Sequence, residues 1–143
     1  MFKPIKFLGI VALIIATVVM FSSCNKYEKK IVGKWKIIKE KTDGESMDED
    51  EGETITFKDN GTCTIVFWGG ELDGDYSING ESLTINVNDD GEKYAFTFDV
   101  DIKKSVMYLS GKCKYTYDEY DYDYGYYTAT DNFKVSYELE KKK

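Results

Sequence analysis

The chain has 143 residues and a formal net charge of −7, a size that allows one domain after a short export signal. All 19 basic residues are lysines, so the chain lacks the arginine side chains that read phosphates and guanine edges, and a nucleic-acid partner is disfavoured. Because histidine is absent as well, the chain lacks the usual general base of hydrolases and every imidazole metal ligand, and we expect a non-enzymatic protein with no catalytic residues, metal or cofactor.

The N-terminal segment has the three parts of a secretory signal. A lysine-containing start precedes an apolar run over residues 7–21, and two small residues, Ser22 and Ser23, lead to Cys24. This arrangement predicts a signal peptide over residues 1–23. An uncleaved membrane anchor is the alternative, although the run is shorter than the roughly 20 residues that a membrane-spanning helix needs.

The small residues before Cys24 resemble the lipobox of bacterial lipoproteins. The resemblance implies that the signal is cut before Cys24 and that acyl chains on this cysteine anchor the protein to a membrane. Asn25 follows where an aspartate would retain some Gram-negative lipoproteins at the inner membrane, so the resemblance implies the cell envelope and, within it, the outer membrane. We expect residues 24–30 to form a tether. The mature chain would carry a net charge of −9, from 17 lysines against 26 acidic residues.

From Ile31 onward, apolar residues recur with period two, which is typical of β-strands. The clearest alternation runs from Tyr94 to Ile102. Asn-Gly and Asp-Gly pairs separate such runs and favour tight hairpin turns, because their backbones accept positive φ angles. We count eight strands, no helical repeat after the signal and no proline in the mature chain. The sequence therefore predicts an all-β domain over residues 31–143.

Eight antiparallel strands with one apolar face each must stack as two sheets or close into a barrel, and closure removes both exposed edges. We therefore predict an eight-stranded up-and-down barrel. Gly33-Lys34-Trp35 in the first strand resembles the Gly-X-Trp motif of lipocalins, and with the signal and lipobox the chain resembles the lipocalin-like lipoproteins of Gram-negative bacteria. The resemblance implies that Trp35 closes one end of the barrel. The chain departs from lipocalins in having no C-terminal helix and no arginine to stack on the tryptophan.

The predicted interior leaves room for a small cavity only. The alternation gives 22 inward positions from Trp35 to Leu139, and none of them is glycine or alanine. We expect a small apolar cavity near the open end, and its lining is predicted to include Phe67, Tyr76, Tyr94 and Phe96, with ordinary core packing as the alternative for each. The predicted function is the binding of a small apolar or amphipathic ligand by a monomeric, membrane-anchored barrel.

Cys63 and Cys113 lie far inside the domain. In an exported protein such a pair indicates a disulfide, which would stabilise the fold by closing a long loop. Two buried free thiols are the alternative, because the spacing of the residues does not show whether their Cβ atoms come within bonding reach.

Two further segments depart from the strand pattern. The acidic run Asp48-Glu49-Asp50-Glu51 lacks the residue order of a calcium loop, and we interpret it as solvated. Residues 115–127 hold seven of the twelve tyrosines. Such rows occur in protein interfaces and stack on sugar rings, and the predicted contact residues are Tyr120, Tyr122, Tyr124 and Trp68. The alternative function is therefore a protein- or glycan-binding module with the barrel as scaffold. A terminal hairpin whose tyrosines only cover the barrel wall is the structural alternative.

Overall fold

The computed structural model describes residues 26–47, 52–67 and 70–143, and these form nine β-strands. The predicted signal peptide, Cys24, the run 48–51 and Trp68 lie outside the described residues. Within the described part, no helix is capable of spanning a membrane. The strands are β1 (Gly33–Thr42), β2 (Glu45–Ser46), β3 (Thr54–Phe57), β4 (Thr62–Phe67), β5 (Gly70–Asn79), β6 (Ser82–Asp89), β7 (Glu92–Lys103), β8 (Val106–Asp121) and β9 (Gly125–Lys141).

Eight of these strands form a closed antiparallel barrel. β1 and β3 to β9 each pair with the next barrel strand along the chain, and β9 returns to pair with β1. The two-residue strand β2 pairs with the end of β1. The two-residue turn between β5 and β6 consists of Gly80 and Glu81, because Asn79 pairs with Ser82. Gly80 has a positive φ of 63°, which is favoured at the first position of such a hairpin turn. The predicted all-β, eight-stranded barrel is confirmed.

A β-bulge in β1 changes which side chains face the barrel interior. The pairing with β9 shifts by one residue between Ile37 and Lys39. Beyond the shift Glu40 pairs with Tyr137, and Lys39 and Lys41 are exposed to solvent. Because an extra residue in one strand reverses the alternation, the bulge turns a carboxylate toward the interior where the simple alternation would place lysines.

Trp35 lies at the closed end of the barrel and is fully buried. Its indole Nε1 donates a hydrogen bond of 2.8 Å to the carbonyl oxygen of Ile31. The Nζ atom of Lys141 lies 5.2 Å from the centroid of its rings, a distance at which a cation is attracted to the face of an indole. The chain has no arginine to stack on this tryptophan, and a lysine from the last strand lies over it instead.

A turn over residues 26–30 covers the same end of the barrel. Tyr27 in this turn is 3% exposed and packs in the core. Its hydroxyl donates a hydrogen bond of 3.4 Å to Asp101, and its carbonyl oxygen accepts one of 2.9 Å from the amide of Ile31. The segment that the sequence assigned to a tether thus contains a core residue.

Cys63 and Cys113 are buried free thiols, so the disulfide that the sequence allowed is not formed. Cys63 lies in β4 and Cys113 in β8, and three barrel strands separate them. Both thiols pack in the apolar core. The alternative interpretation, two buried thiols, is the one that the structure supports.

Candidate functional site

An apolar pocket of about 280 Å³ opens at the end of the barrel opposite Trp35, a volume just below the usual range of ligand sites. It lies where β1, β4 and β6 end and where β5 and β7 begin. Its apolar and aromatic lining comes from six strands and comprises Ile37, Ile65, Val66, Phe67, Leu72, Val87, Tyr94, Phe96 and Tyr137. Such a lining suits a ligand with an apolar body.

Three of the four predicted lining residues, Phe67, Tyr94 and Phe96, lie together in this pocket. Tyr76 does not belong to its lining. The Tyr76 ring packs edge-on against Phe57 with 5.0 Å between centroids, and its hydroxyl donates to the carbonyl oxygen of Lys58. Tyr76 faces the interior as predicted. It lies six residues after Gly70, where β5 begins at the pocket end, and is therefore in the other half of the barrel.

Two carboxylates, Glu40 and Glu53, also line the pocket. Glu40 is brought there by the bulge in β1. Glu53 lies just before β3, and its carbonyl oxygen accepts a hydrogen bond of 3.0 Å from the amide of Ile37. Burial raises the pKa of the Tyr137 hydroxyl, and the negative charge of Glu40 and, more weakly, that of Glu53 raise it further. The two carboxylates and the Tyr137 hydroxyl therefore lie close together in a pocket wall that is otherwise apolar.

Stacked tyrosines extend the pocket wall onto β8. The rings of Tyr94 and Tyr115 lie 4.7 Å apart, and those of Tyr115 and Tyr117 lie 4.8 Å apart, both nearly parallel. The Tyr94 hydroxyl donates to Glu92 at 3.3 Å, and the Tyr117 hydroxyl donates to Asp131 at 3.2 Å. Because these bonds hold the outer edges of the rings, the row presents a flat aromatic surface beside the pocket.

The ends of β8 and β9 project beyond the barrel as a two-stranded hairpin. β7 pairs with β8 only as far as Thr116, and β1 pairs with β9 only as far as Val135. β8 and β9 continue to pair with each other up to Asp121 and Gly125. In the connecting turn, Asp121 Oδ1 accepts hydrogen bonds from the amides of residues 123 and 124. Each strand of the hairpin therefore has a neighbour on one side only.

Three tyrosines on one face of this hairpin form what we call the exposed tyrosine cluster, Tyr120, Tyr122 and Tyr126. The ring of Tyr120 lies 5.6 Å from that of Tyr122 and 5.0 Å from that of Tyr126. Tyr122 and Tyr126 are 95% and 82% exposed. Of the predicted row, Tyr122 and Tyr124 both lie in the turn after Asp121. Tyr122 contacts the Tyr120 ring, whereas Tyr124 takes no part in these ring contacts, and the sequence prediction missed the cross-strand partner Tyr126.

The hairpin is strongly acidic. Between Tyr115 and Phe133 the chain has five acidic residues and no lysine. Two of the carboxylates are hydrogen-bonded across the strands, Glu119 to the hydroxyl of Tyr127 and Asp118 to that of Thr128. The exposed aromatic surface is therefore surrounded by negative charge.

Comparison with known proteins gives a family but no curated relative. No curated protein matches the chain. Among solved structures, the crystal structure of rhizavidin is similar with a TM-score of 0.41 and 11% identity, covering 73% of this chain and 80% of that chain. The crystal structure of the rhizavidin–biotin complex is similar with a TM-score of 0.38 and 13% identity, covering 73% of this chain and 90% of that chain. A family model described as the Lipocalin-like domain matches residues 31–107, more than half of the sequence, and the chain thus belongs to the Lipocalin-like domain family.

Proposed function

We propose that this protein binds a small apolar or amphipathic molecule in the pocket at the open end of the barrel and catalyses no reaction. The observation that carries the proposal is the pocket itself, about 280 Å³ in volume and lined mainly by apolar and aromatic side chains. Burial of apolar ligand surface there would contribute about 25 cal/mol per Å². The absence of histidine and arginine from the sequence supports a binding role rather than catalysis.

We also propose that the protein is a lipoprotein of the cell envelope, anchored at the outer membrane through acyl chains on Cys24. The support is in the sequence, where an apolar run of signal length and two small residues precede Cys24, and Asn25 follows it. Such an anchor would hold the barrel near a membrane surface while the domain itself stays in water.

The uptake of a neutral apolar dye, N-phenyl-1-naphthylamine, tests the pocket. We expect the mature chain, made soluble by Cys24→Ser, to bind the dye saturably with a rise in fluorescence. Tyr94→Ala and Phe96→Ala each remove part of an aromatic wall and should weaken binding roughly tenfold, the equivalent of about 1.4 kcal/mol.

The matched control is Tyr76→Phe, which changes an aromatic side chain outside the pocket and should leave dye binding unchanged. Leu72→Trp provides a second test, because it fills the pocket without removing apolar surface and should abolish uptake. Absence of saturable binding by the unmodified barrel at any dye concentration would refute the proposal.

The exposed tyrosine cluster favours a second function, the docking of a basic protein segment. Tyrosine is common at the centre of protein interfaces, and its ring attracts the cationic groups of lysine and arginine. The surrounding carboxylates, with no lysine between Tyr115 and Phe133, complement a basic partner in charge. A glycan would use the same rings by stacking alone, and the experiment described in the Discussion distinguishes the two.

A further inference from the structure

The Trp35 end of the barrel is rich in lysine. It is formed by the turn that precedes β1, by the turns that connect β3 to β4, β5 to β6 and β7 to β8, and by the end of β9. With the strand residues that flank them, these segments contain nine lysines, which we call the lysine face, and three acidic residues. The segments are residues 26–33, 57–62, 79–82, 103–106 and 141–143. Eight of the nine lysines are exposed, so this end carries a net positive charge although the whole chain is acidic.

The opposite end, which carries the pocket mouth and the projecting hairpin, has the reverse charge. Its described turns and strand ends contain eleven acidic residues and no lysine, over residues 42–47, 52–54, 89–92 and 117–131. The protein therefore has a large electric dipole along the barrel axis. A negatively charged surface would attract the lysine face and repel the pocket end, and this would turn the Trp35 end toward that surface.

Most of the lysine face is not neutralised by the protein itself. Two of its lysines are in ion pairs, with distances from Nζ to a carboxylate oxygen of 3.5 Å for Lys26 and 3.4 Å for Lys103, and both side chains remain more than half exposed. Such exposed pairs are weak in water. Among the described residues, the ammonium groups of Lys29, Lys104 and Lys142 make no hydrogen bond or ion pair. Much of the positive charge is therefore available to a partner.

The turn between β7 and β8 holds one of these lysines in a conformation that lysine rarely adopts. Lys104 is the first residue of this two-residue turn and has a φ of 58°, in the left-handed region that favours glycine, asparagine and aspartate. In the turn between β5 and β6, the same position is occupied by Gly80. Residues in such unfavourable conformations cluster at functional positions. The charge of Lys104 explains its presence better than the stability of the turn does.

We propose that the lysine face binds the anionic phosphate groups of a phospholipid surface. The choice of a membrane as partner rests on the proposed acyl anchor, because Cys24 precedes Lys26, the first lysine of the face, by only two positions. The nine lysines come from several segments around the end of the barrel and do not converge on one cavity, which suits a broad charged surface. Lysines near an anionic bilayer each add to the attraction.

The lysine face orients a domain that is already tethered and does not anchor a free one. Salt screens the attraction between exposed charges beyond about 8 Å at physiological ionic strength. Without a tether, the domain spends little time within that distance of a bilayer. With acyl chains on Cys24, the face would stay close enough to the headgroups for its charge to act.

Vesicle binding by the mature chain carrying Cys24→Ser tests the lysine face without any acyl chain. Two kinds of vesicle are compared by co-sedimentation at low salt, one of phosphatidylcholine alone and one of phosphatidylcholine and phosphatidylglycerol in equal parts. We expect the protein to bind the anionic vesicles at least roughly tenfold more strongly, because several lysines act together at their surface. High salt should abolish this preference by screening.

The triple variant Lys29→Gln, Lys104→Gln, Lys142→Gln removes three charges from the lysine face without breaking an ion pair. We expect it to bind the anionic vesicles at least roughly tenfold more weakly than the unmodified face does, since each lysine near the surface contributes separately. Thermal unfolding of the variant checks that it is folded.

The matched control is the triple variant Lys93→Gln, Lys112→Gln, Lys114→Gln. It removes the same charge from exposed positions on β7 and β8, away from the lysine face, and should lose little of the binding to anionic vesicles. Equal losses in the two triple variants would show that only the net charge matters and would overturn the inference.

Two other results would also overturn it. One is equal binding to the two kinds of vesicle at low salt. The other is binding of a DNA duplex but not of the anionic vesicles, which would assign the lysine face to a nucleic acid. Because the tested chain carries no acyl group, these results are independent of acylation. A protein that is acylated at Cys24 but shows no preference for anionic vesicles would refute the lysine face alone, and the converse result would refute the anchor alone.

Discussion

The thiols of Cys63 and Cys113 show what burial does to a single ionisable group. The pKa of each thiol is raised from 9.0 to about 11, by burial for Cys113 and by burial together with the carboxylates of Asp75 and Asp73 for Cys63. Between pH 9 and 11 the unfolded chain therefore loses protons that the folded chain keeps. Stability that is fully present below pH 9 is lost as the pH rises toward 11. The raised pKa of Tyr137 acts in the same direction.

We expect the urea midpoint of unfolding to fall steadily as the pH is raised from 8.5 to 11. The double variant Cys63→Ala, Cys113→Ala should be less stable throughout, because it leaves cavities in the core, but its stability should decline less steeply with pH. The measurement is urea unfolding followed by circular dichroism under reducing conditions. A decline of equal slope in both proteins would show that the thiols do not contribute to it.

At the residue scale, the sequence predicted the direction of side chains better than their position along the barrel axis. Alternation was enough to place Phe67, Tyr94 and Phe96 in the pocket lining. Alternation did not show that Tyr76 lies outside the pocket. It gives the side of the sheet that a residue faces, whereas the position of the residue along the barrel axis depends on where its strand starts. Glu40 was beyond local reasoning, since the bulge that turns it inward is defined by pairing with a strand about a hundred residues away. Extending the alternation of β3 backward by two residues would have found Glu53.

At the scale of elements, the hairpin of β8 and β9 is held by contacts across its two strands. A two-stranded hairpin alone is marginally stable in water, and here the Tyr120–Tyr126 ring contact and the hydrogen bond from Tyr127 to Glu119 support it. Its outer edges are unpaired, and charged residues on such edges oppose pairing with other chains. The acidic residues thus favour a hairpin that stays separate from other copies.

The variant Tyr120→Ser, Tyr122→Ser, Tyr126→Ser tests docking through the exposed tyrosine cluster. We expect the soluble mature chain to bind a nine-residue oligoarginine peptide and the variant to bind it at least roughly tenfold more weakly, because three cation–π contacts of about 0.5–1 kcal/mol each are lost. Calorimetry with this peptide and with chitohexaose is the measurement.

Tyr108→Ser is the matched control for this variant, since Tyr108 is an exposed tyrosine on the barrel part of β8. It should leave peptide binding unchanged. If the protein binds chitohexaose but not the peptide, the partner of the cluster is a glycan and the proposal of a basic protein partner is wrong. A large loss of stability in the triple variant would mark the cluster as structural.

The sequence predicted the strands well because their determinants are local. Alternation marks the strands, and Asn79-Gly80 marks a tight turn between two of them. The projecting hairpin was open between two interpretations, since its length depends on where the neighbouring strands β7 and β1 stop pairing. That limit lies at Thr116 for β8 and at Val135 for β9.

At the scale of the whole molecule, closure of the barrel depends on pairing between the two ends of the domain. β1 pairs with β9 from Trp35 to Thr42, and Lys141 also covers the indole of Trp35. Periodicity alone allowed two stacked sheets as well as a barrel. The barrel was preferred because it leaves no strand edge unpaired. Among the described residues, each barrel strand pairs with two neighbours, whereas the projecting hairpin has unpaired outer edges.

We expect the full-length protein to sediment with membranes when it is expressed in a Gram-negative host, and residues 25–143 expressed without the signal segment to remain in the soluble fraction. The physical reason is that two acyl chains give stable anchoring that the acidic barrel alone does not provide. Incorporation of a labelled fatty acid measures acylation directly, and Cys113→Ser is the control that keeps Cys24. If the Cys24→Ser protein still incorporates the labelled fatty acid, the acyl group is attached to another residue.

The buried position of Tyr27 fixes how an acylated chain would stand on a bilayer. Tyr27 follows Cys24 by three positions in the sequence, a reach of about 10 Å when fully extended. The Trp35 end of the barrel would then rest at the lipid headgroups, with the mouth of the pocket and the tyrosine hairpin directed away from them. A ligand would arrive through the aqueous phase rather than by lateral diffusion from the lipid layer, and a docking partner would have access without approaching the membrane.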